Sequence, residues 1–189
     1  MRPTERIKEA QRVLEAEARA IFASSKKISL NFSKCIDLII DCKGTVVISG
    51  IGKSGNIGKK ITSTLASLGT PSIFLHTSDA FHGDLGILRR DDLLICISNS
   101  GETDELVRLL NYAKRNGIKS IAITGNVNST ISKEASISLN SSVESEACPL
   151  NLAPTCSTSV TMALGDALAS ICAMELSLIH IWRCRRPMV

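Results

Sequence analysis

A chain of 189 residues is long enough for one domain with a buried core, and with 44% hydrophobic but only 3% aromatic residues that core must be largely aliphatic. The formal net charge is +4, and three of those charges come from Arg183, Arg185 and Arg186, so the rest of the chain is close to neutral. Because a nucleic-acid-binding surface needs clustered lysine and arginine on the body of the fold, we expect no nucleic-acid partner.

The cysteines and the apolar segments indicate a cytoplasmic protein. The first 23 residues lack the uninterrupted apolar core of a signal peptide, and no apolar run approaches membrane-spanning length, so we expect no membrane partner. The cysteines are odd in number and none is spaced C-x-x-C, which favours reduced thiols. The seven cysteines are Cys35, Cys42, Cys96, Cys148, Cys156, Cys172 and Cys184.

The first 44 residues predict two helices. Residues 4–23 place apolar side chains at helical spacing after Thr4, a possible N-cap, and a second helix is predicted over 28–42, ended by Gly44. We expect this N-terminal helical segment, residues 1–44, to pack on the domain formed by 45–176.

From Thr45 onward, short apolar strands alternate with helices. Such alternation predicts a parallel sheet with both faces covered, in a three-layer α/β/α domain with right-handed crossovers. The predicted strands are 46–48, 72–75, 93–97, 119–123 and a weaker fifth at 135–139, and the predicted helices between and after them are 54–68, 102–116 and 157–176.

The last residues, 177–189, break this pattern. They hold the only tryptophan, Trp182, and three crowded arginines. We interpret them as a non-native tail that is foreign to the domain, with a genuine basic tail as the alternative.

A glycine-rich turn, GIGKSG at 50–55, follows the first strand. It matches the dinucleotide fingerprint formally, but Leu75 and His76 stand where an acidic residue should close the second strand, and Val47 stands where a P-loop needs glycine. The remaining signal is Lys53 and Ser54 at a helix N-terminus, which favours an anion.

A serine-rich turn, SNSGET at 98–103, follows the third strand and opens the next helix. Ser98, Ser100 and Thr103 offer hydroxyls to a phosphate, and Gly101 lets the backbone come close. Either turn alone could be an ordinary N-cap with a turn glycine. Both at neighbouring strand ends, where open α/β sheets place ligands, favour a sugar-phosphate site.

Together with four further motifs, these turns resemble the sugar isomerase (SIS) domain of bacterial D-arabinose 5-phosphate isomerases over about residues 16–174. The serine-rich motif alone marks only an SIS domain, whereas FHGDLG, EACP and LAPT are more specific to this isomerase branch. The further motifs are FHGDLG at 81–86, EACP at 146–149, LAPT at 152–155 and GDAL at 165–168.

The resemblance implies a flavodoxin-like, five-stranded parallel fold and interconversion of D-ribulose 5-phosphate and D-arabinose 5-phosphate, the first step towards the Kdo sugar of lipopolysaccharide. It also implies a homotetramer with active sites at subunit borders, and chemistry that requires no redox cofactor and no metal.

An aldose–ketose isomerisation needs a base, a group that moves protons between oxygens, and a charge that stabilises the oxyanion. By their match to the family motifs we assign Glu146 as carbon base, in a small apolar setting expected to raise its pKa, and His82 as proton shuttle. Lys53 would hold the enediolate or phosphate, and Glu105 matches a family active-site carboxylate. Whether His82 or Glu146 takes the carbon proton stays open. The predicted substrate-binding residues are Ser54, His76, Ser98, Asn99, Ser100 and Thr103.

Each assignment has a plainer alternative. Glu146 could be a surface or interface carboxylate and His82 a histidine that bonds loop carbonyls. Lys53 could cap a loop carbonyl, Glu105 could be a solvated acid at a helix N-terminus, and His76 could merely close the second strand.

The chain departs from the family near its end. Family members continue into a His-Pro-Gly-like segment whose histidine contributes to the active site, but His180 is followed by neither proline nor glycine, so that role is not assigned to it. We therefore expect substrate binding with slow isomerisation.

Two alternative functions remain. One is a non-catalytic phosphosugar-binding SIS regulator, although residues 1–44 show neither the basic face nor the length of a helix-turn-helix module. The other is a hexose-phosphate isomerase or the isomerising half of an amidotransferase, which would not need residues 82–86.

Overall fold

The computed structural model describes residues 1–176, which form two N-terminal helices followed by alternating strands and helices. The helices are α1 (Pro3–Ser25), α2 (Leu30–Ile40), α3 (Gly52–Ser67), α4 (Thr77–Phe81), α5 (Asp104–Arg115), α6 (Thr130–Glu134) and α7 (Cys156–Glu175). The strands are β1 (Val46–Gly50), β2 (Ser72–Phe74), β3 (Leu93–Ile97), β4 (Lys119–Thr124) and β5 (Ile137–Asn140).

The sheet has five strands in the order β2-β1-β3-β4-β5, and every neighbouring pair is parallel. The central strands β1 and β3 are buried along their whole length, whereas the border strands β2 and β5 have three and four residues. This order confirms the predicted five-stranded, flavodoxin-like sheet, and it places a topological switch point between β1 and β3.

Alternate side chains of the central strands feed two separate cores. Val46 and Ile48 of β1 pack into a cluster with α2, α3 and α7 on one face, while Val47 packs with α4, α5 and α6 on the other. The result is the predicted three-layer α/β/α arrangement, and the period-2 alternation of each strand explains why both faces are apolar.

The N-terminal helices pack on the same side as α7. Helix α2 contacts α7 and β5, and α1 lies along α7. Much of α1 faces outward, and its large apolar side chains Ile7, Leu14 and Phe22 are 60%, 70% and 67% exposed. The division into a helical segment, 1–44, and a domain, 45–176, stays a prediction.

Helix α7 corrects one expectation from the sequence. Within the described residues it is long and apolar enough to cross a membrane by length and composition, so the statement that no apolar run approaches that length was wrong. More than half of its most apolar stretch is buried inside the fold, where Val160, Leu164 and Leu168 pack in the core.

Two short helices were not predicted. Helices α4 and α6 each have five residues, and a 3-10 turn covers Asp84–Ile87. The predicted non-native tail, with His180, lies outside the described residues. The six described cysteines are not joined in disulfides, and burial raises the pKa of Cys35 and of Cys96 to about 12.

Candidate functional site

The glycine-rich and serine-rich turns begin side by side at the carboxyl edge of the sheet. Gly50, the last residue of β1, pairs in register with Ile97, the last residue of β3. A Cβ on Gly50 would lie 3.2 Å from the Ile97 carbonyl oxygen and 3.1 Å from the Gly55 nitrogen. The absence of a side chain at Gly50 therefore allows the glycine-rich turn to pass close to the end of β3.

The glycine-rich turn leads directly into α3. Gly52 has a φ of 58°, and Lys53 and Ser54 occupy the first helical turn, with Lys53 exposed and Ser54 half-buried. Ile51 at the N-cap supplies no side-chain acceptor, so the first N–H groups of α3 are left for another one. An anion is the natural acceptor at such a helix start.

Ser98 organises the serine-rich turn from inside. Its side chain is buried, its hydroxyl lies 2.9 Å from Thr103 Oγ1, and the Gly101 N–H donates to it over 3.0 Å. Ser100 lies 3.4 Å from Ser98 and is exposed, as is Asn99. The predicted binding residues thus divide into Ser98, which faces inward, and Asn99 and Ser100, which face outward.

Helix α6 anchors the serine-rich turn. The Thr130 N–H donates to Glu102 Oε1 over 2.9 Å, and the Ile131 N–H donates to the Gly101 carbonyl over 3.1 Å. The hydrogen bonds from Thr130 lower the pKa of Glu102. Gly101 has a φ of 70°, and a Cβ there would collide with the Ser129 side chain. The roles of Glu102 and Ser129 were missed from the sequence, because no sequence pattern shows that the serine-rich turn contacts the start of α6.

A second glycine supports Asn99. The Gly125 N–H, just after β4, donates to the Asn99 carbonyl over 3.0 Å, and a Cβ on Gly125 would collide with Asn99 Oδ1. The position of Gly125 directly after β4 could have predicted this close approach to Asn99, but no such prediction was made from the sequence.

The two predicted histidines follow β2, the neighbour of β1. His76 is half-buried and caps α4, since its Nδ1 accepts from the Ser78 N–H over 3.3 Å. His82 is exposed at the other end of α4. Glu105, in the first turn of α5 after the serine-rich turn, is also exposed. The histidines therefore follow β2 and Glu105 follows β3, the two strands on either side of β1, at the same edge of the sheet.

Glu146 caps the N-terminus of α7. Its Oε2 accepts from the Thr155 N–H over 2.7 Å, from the Thr155 hydroxyl over 3.0 Å and from the Ser157 N–H over 3.2 Å. Burial raises the pKa of Glu146, but the hydrogen bonds from Ser157 and Thr155 outweigh it and hold this pKa below its usual value. The expectation of a raised pKa was wrong, because half-buried Glu146 meets donors there.

The lowered pKa keeps Glu146 ionised at neutral pH. The hydrogen bonds that hold the carboxylate all end on Oε2, so in the described part of the chain Oε1 is the oxygen outside this cap. Oε1 is therefore the oxygen that can accept a proton, and the lowered pKa makes this carboxylate a weaker base than an unperturbed glutamate.

The chain is similar to a known domain family and to several known proteins. The SIS domain family matches residues 38–171. Arabinose 5-phosphate isomerase KdsD of Pseudomonas aeruginosa is 51% identical over 163 residues, which cover 86% of this chain and 50% of the relative. Arabinose 5-phosphate isomerase KpsF of Escherichia coli O6:H1 is 50% identical over 164 residues, with the same coverage of 86% and 50%. The chain thus spans about half the length of the curated relatives it matches.

A solved structure extends the comparison to the fold. An E. coli CFT073 protein in complex with arabinose 5-phosphate superposes with a TM-score of 0.90 at 37% identity, covering 94% of this chain and 95% of that one.

Proposed function

The chain belongs to the SIS domain family, and we propose that it is an aldose–ketose isomerase that interconverts D-ribulose 5-phosphate and D-arabinose 5-phosphate. The observation that carries the proposal is the identity of about half of the aligned residues to arabinose 5-phosphate isomerases. The likeness to a structure in complex with arabinose 5-phosphate, over nearly the whole of both chains, supports the same substrate.

The phosphate would bind between the two turns. The start of α3 supplies N–H groups and the Lys53 ammonium, and the facing turn supplies the exposed Asn99 and Ser100 with the half-buried Thr103. Ser98, buried beneath them, would hold the loop in shape. Neutral hydroxyl groups and a single ammonium would bind the phosphate less tightly than several positive charges would, which allows the product to dissociate.

The reaction moves one proton between two adjacent carbons. A base removes the proton from the carbon beside the carbonyl, the electrons pass to the carbonyl oxygen to give an enediolate, and the base returns the proton to the former carbonyl carbon. A second group moves a proton between the two oxygens. Glu146, ionised and capped on one oxygen, suits the first task, and the imidazole of His82 suits the second.

We extend the proposal to the cellular setting and the assembly. The product would feed the Kdo branch of lipopolysaccharide synthesis in the cytoplasm, and the protein would form a homotetramer. The exposed apolar residues of α1 support an assembly, because such side chains are usually covered by a partner.

The test is to follow aldose formation from D-ribulose 5-phosphate by NMR, with glucose 6-phosphate and fructose 6-phosphate as controls, and to measure binding of D-arabinose 5-phosphate by calorimetry. We expect slow turnover of the pentose phosphate and none of the hexose phosphates. Binding without turnover would favour a phosphosugar-binding regulator, and turnover of the hexose phosphates would favour the hexose-phosphate alternative.

Variants separate binding from chemistry. We expect His82→Ala and Glu146→Gln to lose turnover and to keep binding. Lys53→Ala should weaken binding about tenfold, because it removes a charge-assisted contact to the phosphate. Lys59→Ala, on the exposed surface further along α3, is the matched control and should leave binding unchanged. Unaffected rates in His82→Ala and Glu146→Gln would remove their assigned roles.

A further inference from the structure

Helix α1 reaches the segment that carries Glu146. Arg12 Nη2 donates to the Ala147 carbonyl over 2.6 Å, and the Ala147 residue is buried, with 1% exposure. A second contact lies further along the same helix, where the Ser159 hydroxyl donates to Glu17 Oε2 over 2.6 Å. Helix α1 precedes residues 38–171, the range matched by the family.

Ala147 is held on both sides. Its carbonyl accepts from Arg12, and its N–H donates to Thr155 Oγ1 over 2.8 Å. The same Thr155 hydroxyl donates to Glu146 Oε2 over 3.0 Å. A shift of Ala147 would therefore move the Thr155 hydroxyl and, through it, change the position of the Glu146 carboxylate, since linked hydrogen bonds respond together.

Arg12 is itself held in place. Its Nε and Nη2 both contact Glu9 Oε1, over 2.9 and 2.7 Å, and the guanidinium lines one groove with Glu146 and Cys156. A planar guanidinium bound at two places loses less freedom for each hydrogen bond than a lysine would. Arg12 therefore links α1 to the buried Ala147 carbonyl through a side chain that Glu9 holds in one position.

We propose that Arg12 is a positioning residue for the Glu146 carboxylate, acting through the Ala147 backbone. Its effect on turnover rests on the proposed isomerase function, whereas its effect on the order of the 145–149 segment does not. Without Arg12 the buried carbonyl loses its donor, and the segment moves to find water or another partner.

The test compares Arg12→Ala and Arg12→Lys in the full chain, with Arg19→Ala as the matched control. Arg19 lies on the same helix and lines the same groove, but within the described residues it pairs only with exposed Glu15, so it tests a nearby charge without the hydrogen bond to Ala147. Hydrogen exchange at the amides of residues 145–148 reports order without substrate, and kcat and KM with D-ribulose 5-phosphate report chemistry.

We expect Arg12→Ala to speed amide exchange at 145–148 about tenfold and to lower kcat about fivefold with KM changed less than about twofold, because a small misplacement of a reacting group costs rate rather than binding. Arg12→Lys should recover part of kcat, since its ammonium can still donate to the carbonyl. Arg19→Ala should match the wild type in both measurements.

Unchanged exchange and unchanged kcat in Arg12→Ala would overturn the proposal, as would an equal effect of Arg19→Ala. A fall in kcat that Arg12→Lys does not recover at all would also contradict a role through the hydrogen bond. If the wild type shows no isomerisation, the proposed function fails, and the exchange measurement still decides whether Arg12 orders the segment.

Discussion

Gly101 combines two demands that a side chain cannot meet. Its φ of 70° lies in the left-handed region, and a Cβ there would collide with Ser129 at the start of α6. The serine-rich turn and α6 can therefore approach each other only while residue 101 has no side chain.

We predict that Gly101→Ala lowers the free energy of unfolding by about 2–4 kcal/mol, from backbone strain together with overpacking. Urea unfolding measures the difference. Gly86→Ala is the control, because its Cβ would have no heavy atom within 4 Å and its φ is not positive, so its stability should stay within about 0.5 kcal/mol of the wild type. Equal effects of the two variants would contradict this account of the turn.

The Glu146 carboxylate gives a pH-dependent contribution to stability. Its folded-state pKa lies below the usual 4.5, so the ionised form favours folding. A group of this kind stabilises the protein above its unfolded-state pKa, and the contribution is lost as pH falls through the folded-state pKa.

We predict that Glu146→Gln is less stable than the wild type by about 1 kcal/mol at pH 7, the usual value of a helix cap. The difference should shrink as the pH falls from 4.5 towards the lower folded-state pKa, because the unfolded chain binds a proton at this carboxyl first and the folded protein must then follow. Urea unfolding of both proteins at pH 7 and near pH 3.5 measures this. A gap that is constant with pH would mean that ionised Glu146 does not cap α7.

At the scale of elements, α3 and α7 pack closely because of one glycine. A Cβ on Gly165 would collide with the side chain of Ile61, which is 1% exposed and cannot swing into solvent. Gly165 therefore lets α7 lie against Ile61 of α3, and Ala169, one helical turn further on, is fully buried.

We predict that Gly165→Ala destabilises the fold by about 1–3 kcal/mol through overpacking, despite its better helix propensity. Thermal unfolding of the variant measures the loss. Ser170→Ala is the control on the same helix, since residue 170 is exposed and its change should cost less than about 0.5 kcal/mol. A stabilised Gly165→Ala protein would show that the helices can move apart freely.

The sequence predicted the long elements and missed the short ones for a physical reason. Strands β1 and β3 are apolar throughout because both sheet faces are covered, and that run is visible in the sequence. Helices α4 and α6 have five residues each, too few for helical periodicity to appear.

The site was predictable only where it follows from strand order. The two turns were expected together because the carboxyl ends of neighbouring parallel strands share an edge. In contrast, the contact of Thr130 with Glu102 joins residues 28 apart, and that of Arg12 with Ala147 joins residues 135 apart. No local sequence pattern predicts contacts between residues so far apart in the chain. The donors to Glu146 lie 9 and 11 residues further on, and the sequence does not show that they fold back onto it.

At the scale of the whole molecule, the outward face of α1 bears on assembly. Leu14 and Phe22 are 70% and 67% exposed, which is costly for a chain that stays alone in water. A closed assembly of identical chains would cover this face symmetrically.

We predict that light scattering coupled to gel filtration gives the mass of a tetramer, and that Leu14→Glu with Phe22→Glu gives smaller particles, because buried unpaired charges oppose association. Val127→Glu is the control, at a residue 47% exposed on the loop after β4, and should leave the mass unchanged. A wild-type monomer at micromolar concentration would remove the tetramer from the proposed function.

The short border strands of the sheet bear on aggregation. Strand β2 has three residues and β5 has four, so each rim of the sheet offers few free backbone groups to a strand from another molecule. Copies of this chain that meet through helices can therefore gather at high concentration without seeding the ordered, self-templating growth of fibrils.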